Sequence, residues 1–474
     1  MLDTAVVNGT LVTPGGVYAA DLGIADGKIA AVARPGELPP ARETLDASGR
    51  HVFPGVVDPH THPGNFRPLA DDIRSETRSA AVGGVTTMLG TVKCMRMGYT
   101  MRPLAEPEDA ISYLDAFPDA RRIADEEAHC DVGYSFIMMH EAHAAEIPAC
   151  VRECGVTSFK FFLSYPTVSE WGKRVGMPLF PDEGTVFLGF RNAAATGALA
   201  MIHAENNLVG RVLEPELLAS GRQDLGVWEA HFPGTLEASE IRKAAYFAGL
   251  VGCRLYPAHV SSAAGLAAVR AARADGVRIT GETCPQYLVL DLEQEPERGL
   301  AIKFNPPVRA RAEAEALWAA VADGTLSCLG SDHVPNLRER KIVPGNVWHT
   351  LPGSPGLATL LPLLLDRGVR AGRLTLEQVA AVCCEGPARA FDLYPRKGAL
   401  QVGSDADLAL VDLDLRRTVD AATLHGWSDF SAYEGMELVG WPTLTMLRGR
   451  VIMRDGVPVG PPTGRYLARQ PTGQ

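Results

Sequence analysis

The sequence predicts an α/β protein, a (β/α)8 TIM-like barrel carrying a small β-sandwich domain formed from both chain ends. Three observations predict it. Eight short apolar strand candidates alternate with helix-period segments through the middle of the chain. Both ends have a different texture, of short strands broken at Asn-Gly, Asp-Gly and Arg-Gly pairs. The length, 474 residues, suits one large unit plus a smaller one.

Residues 1–54 read as short strands: 5–12 around Asn8-Gly9, 21–32 turning at Asp26-Gly27, and 43–53 turning near Ser48-Gly49. The same texture returns after residue 398, with strands over 406–411 and 444–453, the latter breaking at Arg448-Gly449. Between them, strands are expected at 56–58, 86–91, 132–138, 158–163, 199–203, 254–259, 278–282 and 326–330. Helices are expected at 69–82, 107–128, 141–153, 183–195, 237–250, 262–274 and 310–322, with one more at 357–366. The division is therefore 1–54 with 398–460 for the sandwich, 55–397 for the barrel, and 461–474 as a loose tail rich in Pro, Thr and Gly. An open doubly wound sheet is the alternative, but no Gly-rich phosphate fingerprint follows any strand.

The chain is 46% hydrophobic and 21% charged, as globular proteins are. A net charge of −11 argues against nucleic acid or an anionic membrane as partner, although it also serves solubility alone. Nine scattered cysteines, an odd number in a long chain, argue against a disulfide framework and for a reducing cytoplasm. Cys150 and Cys154 lie four apart on one expected helix, a spacing that fits buried helix cysteines better than a metal pair. No apolar run reaches membrane-spanning length, and the start lacks a basic, cleavable leader pattern. A cytoplasmic location is expected.

The chemistry lies in where polar residues meet strand ends. His60 and His62 follow the first barrel strand, Lys160 lies in the fourth, and His203 and His259 end the fifth and sixth. Asp332 follows the eighth. In a parallel barrel these ends open on one face, where active sites form. Imidazoles with a carboxylate suit zinc or a similar first-row ion. Taken singly, each residue also fits a structural role. A strand-end histidine is often only hydrogen-bonded, Asp332 could cap the next segment, and Lys160 could snorkel to water. But Lys160 sits in the aromatic strand Thr157-Ser158-Phe159-Lys160-Phe161-Phe162-Leu163, where an unpaired ammonium costs several kcal/mol, roughly. Two nearby dications would drive it neutral, and a neutral amine can add carbon dioxide to become an anionic, bidentate carbamate.

These segments resemble the cyclic amidohydrolases: dihydropyrimidinases, hydantoinases, allantoinases and dihydroorotases. The resemblance runs over nearly the whole chain. It rests on DPHTH (58–62), GVTSFKFFLSY (155–165), HAEN (203–206), HVSS (259–262), ETCPQYL (282–288), NPPVR (305–309) and SDHVP (331–335). GSDADLALVD (403–412) and YEGMELVGWP (433–442) add to it.

The resemblance implies an enzyme that opens a hydantoin, dihydropyrimidine or related cyclic imide or ureide ring by attack of a metal-bridging hydroxide. It implies two divalent ions, Zn2+ by default with Mn2+ or Co2+ able to fill the same ligands, and CO2 to carboxylate Lys160. His60 and His62 would hold the more buried ion and His203 and His259 the more exposed one. Lys160, as N6-carboxylysine, would bridge both. Asp332 would bind the first ion and shuttle the proton. Tyr165 would stabilise the oxyanion and contact substrate, and Thr283, Cys284 and Asn305 would anchor the ring. The partner implied is a small cyclic amide, with a homotetramer or homodimer as the assembly.

Within the family the signals are mixed. ETCPQYL, Tyr165 and YEGMELVGWP look like the hydantoinase and dihydropyrimidinase branch. KFNPPVR (303–309) and GLATLLPLLL (356–365) look more like allantoinase or dihydroorotase, which keeps a ureide hydrolase as the alternative. Dihydroorotases carry an arginine two residues after the second metal histidine, where this chain has Gly64. The hydantoinase branch carries Asn-Gly at the last substrate loop, where this chain reads Leu351-Pro352-Gly353-Ser354. A non-catalytic scaffold related to the dihydropyrimidinases is the reading outside the enzymes, and retention of all six ligands argues against it.

Overall fold

A computed structural model describes residues 1–93, 111–163 and 181–472, apart from the side chain of Asn207. Eight parallel strands ring the centre: β1 (Val56–Thr61), β2 (Val85–Val92), β3 (Asp131–Ile137), β4 (Ser158–Leu163), β5 (Leu199–Ala204), β6 (Arg254–Pro257), β7 (Gly281–Thr283) and β8 (Leu326–Leu329). The first six form one ladder in chain order, and β7 pairs with β8. Two bridges complete the circuit. Leu255 of β6 pairs with Ile279 just before β7, and Thr61 of β1 pairs with His333 just after β8. The expected strand over 278–282 is thus a bridge at Ile279 followed by a short strand that begins two residues later.

These strands are buried on both faces, as parallel sheets are. In β3 the period of two sends Tyr134 outward, where its hydroxyl donates to the Ala120 carbonyl at 2.7 Å, and Ser135 inward to Ser158 Oγ at 2.6 Å. In β4 the outward Phe161 meets Phe190 edge-on, with ring centroids 5.2 Å apart. Gly189 makes room for that ring, since a Cβ there would lie 2.4 Å from it. With Phe159 and Phe161 outward, Lys160 must point into the barrel.

Helices start where a polar side chain caps them just after a strand. Asn206 accepts from Val209 N–H and caps Asn207–Ala219 after β5, and Ser262 accepts from Gly265 N–H and caps Ala263–Ala274 after β6. The expected helix over 107–128 is described from Tyr113 to Glu127. The one over 141–153 is α-helical to Ala149 and continues over Cys150–Cys154 with wider π-type turns, following Pro148. Cys150 and Cys154 are both buried there.

The chain ends build two further sheets. One has four strands, ordered Lys28–Ala33, Asp21–Ala25, Leu2–Val7 and Ala41–Asp46. In the other, Leu408–Thr418 pairs with His51–Pro54 on one side and with Glu437–Leu447 on the other, so the two termini share one sheet. Their common core includes Val6, Leu22, Ile24, Val52, Leu408 and Leu444. The hairpins turn at Asp26-Gly27 and Arg448-Gly449 with both residues at positive φ, as type I′ turns require.

The loose tail is a correction. Leu467 N–H donates to the Val132 carbonyl at 2.8 Å, Arg469 N–H donates to the Gly155 carbonyl at 2.8 Å, and the Tyr466 hydroxyl donates to the Cys154 carbonyl at 2.8 Å. Tyr466, Leu467 and Arg469 are buried against the amino-terminal ends of the strands.

Candidate metal centre

At the carboxyl-terminal mouth of the barrel, β1 carries His60 with His62 just after it, β4 carries Lys160 and β5 His203, and the segments after β6 and β8 carry His259 and Asp332. All six are buried. Asp332 Oδ1 lies 3.0 Å from His62 Nε2 and 3.4 Å from His60 Nε2. Lys160 Nζ lies 3.3 Å from His60 Nε2. Imidazole centroids are 5.0 Å apart for His60 and His62, 5.4 Å for His60 and His259, and 4.4 Å for His203 and His259. The structure therefore brings the six expected side chains together.

The donor set fits metal. Ligands about 2.1 Å from a tetrahedral ion sit about 3.4 Å from one another, close to the spacing among His60, His62 and Asp332. Burial holds His60 and His203 well below the ordinary imidazole range, with the Lys160 charge adding to it, and holds His259 there with help from His203. All three are therefore neutral and can ligate. His259 Nδ1 is buried without a hydrogen-bond partner among the described residues. Burial alone would raise the Asp332 pKa. The His60 and His62 imidazoles and Lys160 outweigh it and hold Asp332 ionised below its usual value. Burial pushes Lys160 down to about 8.

The groups behind these residues set their orientation. Glu282, in the middle of β7, takes His60 Nδ1 at 2.9 Å, the Tyr256 hydroxyl at 2.8 Å and the His259 backbone N–H at 2.9 Å. Fixing Nδ1 as the donor leaves the Nε2 lone pair of His60 facing the centre. Glu205 takes His203 Nε2 at 2.8 Å, which turns Nδ1 of that ring inward. Asp58 Oδ1 accepts from the backbone N–H groups of His60 and Ser331, each at 3.1 Å, and so ties β1 to the Asp332 segment. His259 and Asp332 both adopt positive φ, at 40° and 49°. Such backbone strain in a non-glycine residue persists only where neighbours overdetermine it. Sequence reasoning named none of Glu282, Glu205 and Asp58 for this role. Their signal was an acidic residue beside each ligand motif, in ETCPQYL, HAEN and DPHTH.

Among the expected substrate contacts, Thr283 and Cys284 stand buried at the mouth end of β7. Asn305 Oδ1 is held by Trp228 Nε1 at 3.0 Å, while its buried Nδ2 has no partner among the described residues. Tyr165 lies outside the described residues. Arg67, near the arginine position of dihydroorotases, is committed elsewhere: it pairs with Asp72, donates to Ser75 Oγ and stacks on Trp427 at 4.5 Å.

A second carboxylate set, Asp131, Asp405 and Asp407, lies at the opposite end, where Asp131 begins β3. The Lys397 ammonium already fills it, with Nζ 2.6, 3.0 and 2.6 Å from the three carboxylates, and Arg448 also pairs with Asp131. It is an ion network, about 20 Å along β3 from the mouth.

Among the described residues no helix is long and apolar enough to cross a membrane. The amidohydrolase family model matches residues 227–452. An L-hydantoinase of Paenarthrobacter aurescens is 34% identical over 99% of both chains. An allantoinase of Rubrobacter xylanophilus is 33% identical over 98% of this chain and 97% of its own. The crystal structure of a dihydropyrimidinase from Brevibacillus agri superposes with a TM-score of 0.88 at 30% identity, covering 99% of both chains. The chain belongs to the amidohydrolase family, in its hydantoinase and dihydropyrimidinase branch with allantoinases as relatives, and is accordingly a metal-dependent hydrolase of cyclic amide carbon–nitrogen bonds.

Proposed function

We propose that the ring opened is a hydantoin, a dihydropyrimidine or a close cyclic imide, and that residues 55–397 do this work while 1–54 with 398–460 form the sandwich. The observation that carries the reading is Lys160, fully buried at the mouth with Nζ 3.3 Å from His60 Nε2. With its pKa near 8, about one amine in ten is neutral at pH 7, against about one in three thousand for an ordinary lysine. That neutral amine suits carboxylation by CO2. As N6-carboxylysine, Lys160 would bridge one ion held by His60, His62 and Asp332 and a second held by His203 and His259. Zn2+ suits this ligand set, as would Mn2+ or Co2+. When bound, the ions polarise the ring carbonyl and lower the pKa of the attacking water.

The chain's own residues then move protons. Asp332 takes a proton from the water as its oxygen adds to the carbonyl carbon. It returns that proton to the ring nitrogen as the carbon–nitrogen bond breaks, leaving a free amide or amine and a carboxylic acid that ionises by losing water's second proton to solvent. The Tyr165 hydroxyl, ordinarily ionising near pH 10, donates to the oxyanion. Asn305 Nδ2 and backbone groups near Thr283 and Cys284 hold the ring. A neutral, compact ring suits this site better than dihydroorotate, because Arg67 is bound into the Asp72 network.

A turnover panel of hydantoin, dihydrouracil, allantoin, dihydroorotate and succinimide, run beside metal analysis, tests the reading. Hydantoin or dihydrouracil should be opened fastest. Faster opening of allantoin would move the chain to the ureide hydrolases. A protein that binds no divalent ion and opens no ring after zinc is added would end the reading.

A further inference from the structure

Two buried lysines stand beside the mouth without a role in the chemistry above. Lys303 and Lys341 are each fully buried. Lys341 Nζ donates to the backbone carbonyls of Lys303 at 2.9 Å, Leu351 at 3.1 Å and Gly353 at 2.6 Å. An ammonium has three N–H donors, so these three carbonyls saturate it. Among the described residues Lys341 makes no ion pair. Lys303 Nζ donates to the carbonyls of Val347 and Thr350, each at 2.6 Å, and lies 3.7 Å from the centre of the Trp228 ring. The same Trp228 holds the Asn305 side chain. Gly353 N–H donates back to the Lys303 carbonyl at 3.1 Å, and Leu351 N–H to the Lys341 carbonyl at 2.8 Å.

The two segments so joined are those the family resemblance places around the ring. Residues 303–305 lead into Asn305, and 351–354 occupy the place of the missing Asn-Gly. Ser354 bridges His333, next to Asp332, so this segment also abuts the proton shuttle. The position of Gly353 is tight, with φ +87° and a virtual Cβ 2.7 Å from Val334. Burying two lysine head groups costs several kcal/mol, roughly, and an apolar side chain of the same size would avoid that cost. Their use is therefore better sought in position than in stability.

We propose that Lys303 and Lys341 are positioning residues for the substrate, stapling the Asn305 segment to the 351–354 segment and so fixing the width of the ring pocket. The proposal rests on the preceding reading that these segments flank the ring. At that loop this chain would present backbone held in place by the two lysine side chains.

Lys341→Met in the metal-loaded enzyme tests it. Bound metal per chain should be unchanged. KM for the best ring of the panel should rise about tenfold while kcat changes less than about threefold. The preference between five- and six-membered rings should shrink by a similar factor. Amide hydrogen exchange over 345–354 should quicken about tenfold or more, with the barrel strands unaffected. Lys341→Gln, which keeps two N–H donors, should fall between and carries the kinetic test should Lys341→Met not fold. Unchanged KM, ring preference and exchange would overturn the proposal. So would wild-type enzyme whose Leu351 and Gly353 amides exchange as fast as those of an exposed loop. Failure of the wild type on every ring would instead strike the preceding reading, and the exchange measurement would still judge the staple.

Discussion

Lys160 and Glu282 show how single side chains divide the work at the mouth. Burial lowers the Lys160 pKa to about 8, and its amine lies 3.3 Å from His60 Nε2. Lys160→Ala should lose the paired ions and nearly all turnover, with part of the activity restored by short carboxylic acids that fill the gap. Metal analysis and rates with and without added acetate or propionate check this, and near-normal turnover without them would refute the bridge. Glu282 touches no reacting atom. Burial raises its pKa to about 7, yet it sets the tautomer of His60 and holds the His259 backbone. Glu282→Gln should lower metal affinity or activity about 10–100-fold, read by chelator competition and by turnover. Equal affinity would show that strand geometry alone orients His60. The six candidate ligands stood out in the sequence because each lies in or just after a strand within a short motif. Glu282 was not, because a carboxylate behind a histidine differs from a solvated one only by burial, which no spacing records.

At the scale of elements, what the sequence hid was contact between distant pieces. The alternation of strands and helices was readable because periodicity is local. The turns at Asp26-Gly27 and Arg448-Gly449 were readable because φ > 0 restricts composition. The final segment was misread because three anchors, Tyr466, Leu467 and Arg469, are too few to make a period. Their partners, Val132, Cys154 and Gly155, lie hundreds of residues away. The packing has a consequence. Removing residues 461–474 should expose the ends of β3 and β4 and forfeit about 1.5–3 kcal/mol for each of the two buried apolar side chains. The urea midpoint should fall clearly, while the ring preference at the far mouth stays as it was. An unchanged midpoint would show that the segment is only laid on the surface. A changed ring preference would show that the barrel transmits strain along its strands.

Across the whole molecule, the sandwich and the barrel are joined by charge as well as by apolar packing. Lys397 binds Asp131, at the start of a barrel strand, together with Asp405 and Asp407, at the entrance to the shared terminal sheet. Burial would raise the Asp405 pKa, but Lys397, Lys28 and Arg396 outweigh it and hold the group well below the carboxylate range. A depressed carboxylate contributes stability that is complete above its unfolded value, about 3.9, and is lost as pH falls further. Lys397→Met should cost about 3–5 kcal/mol near pH 7, because it leaves three close buried carboxylates without their central cation. The sign of the pH dependence then separates charge from packing. Without the ammonium, the mutual repulsion of these carboxylates raises their folded pKa values above the unfolded ones. Stability of the variant is then present in acid and is lost as pH rises through those values. The gap between wild type and variant should therefore narrow from pH 7 to pH 5, as measured by denaturant midpoints at each pH. A gap that stays constant would mean that Lys397 serves by its aliphatic stem, and that apolar packing alone joins the two parts of the chain.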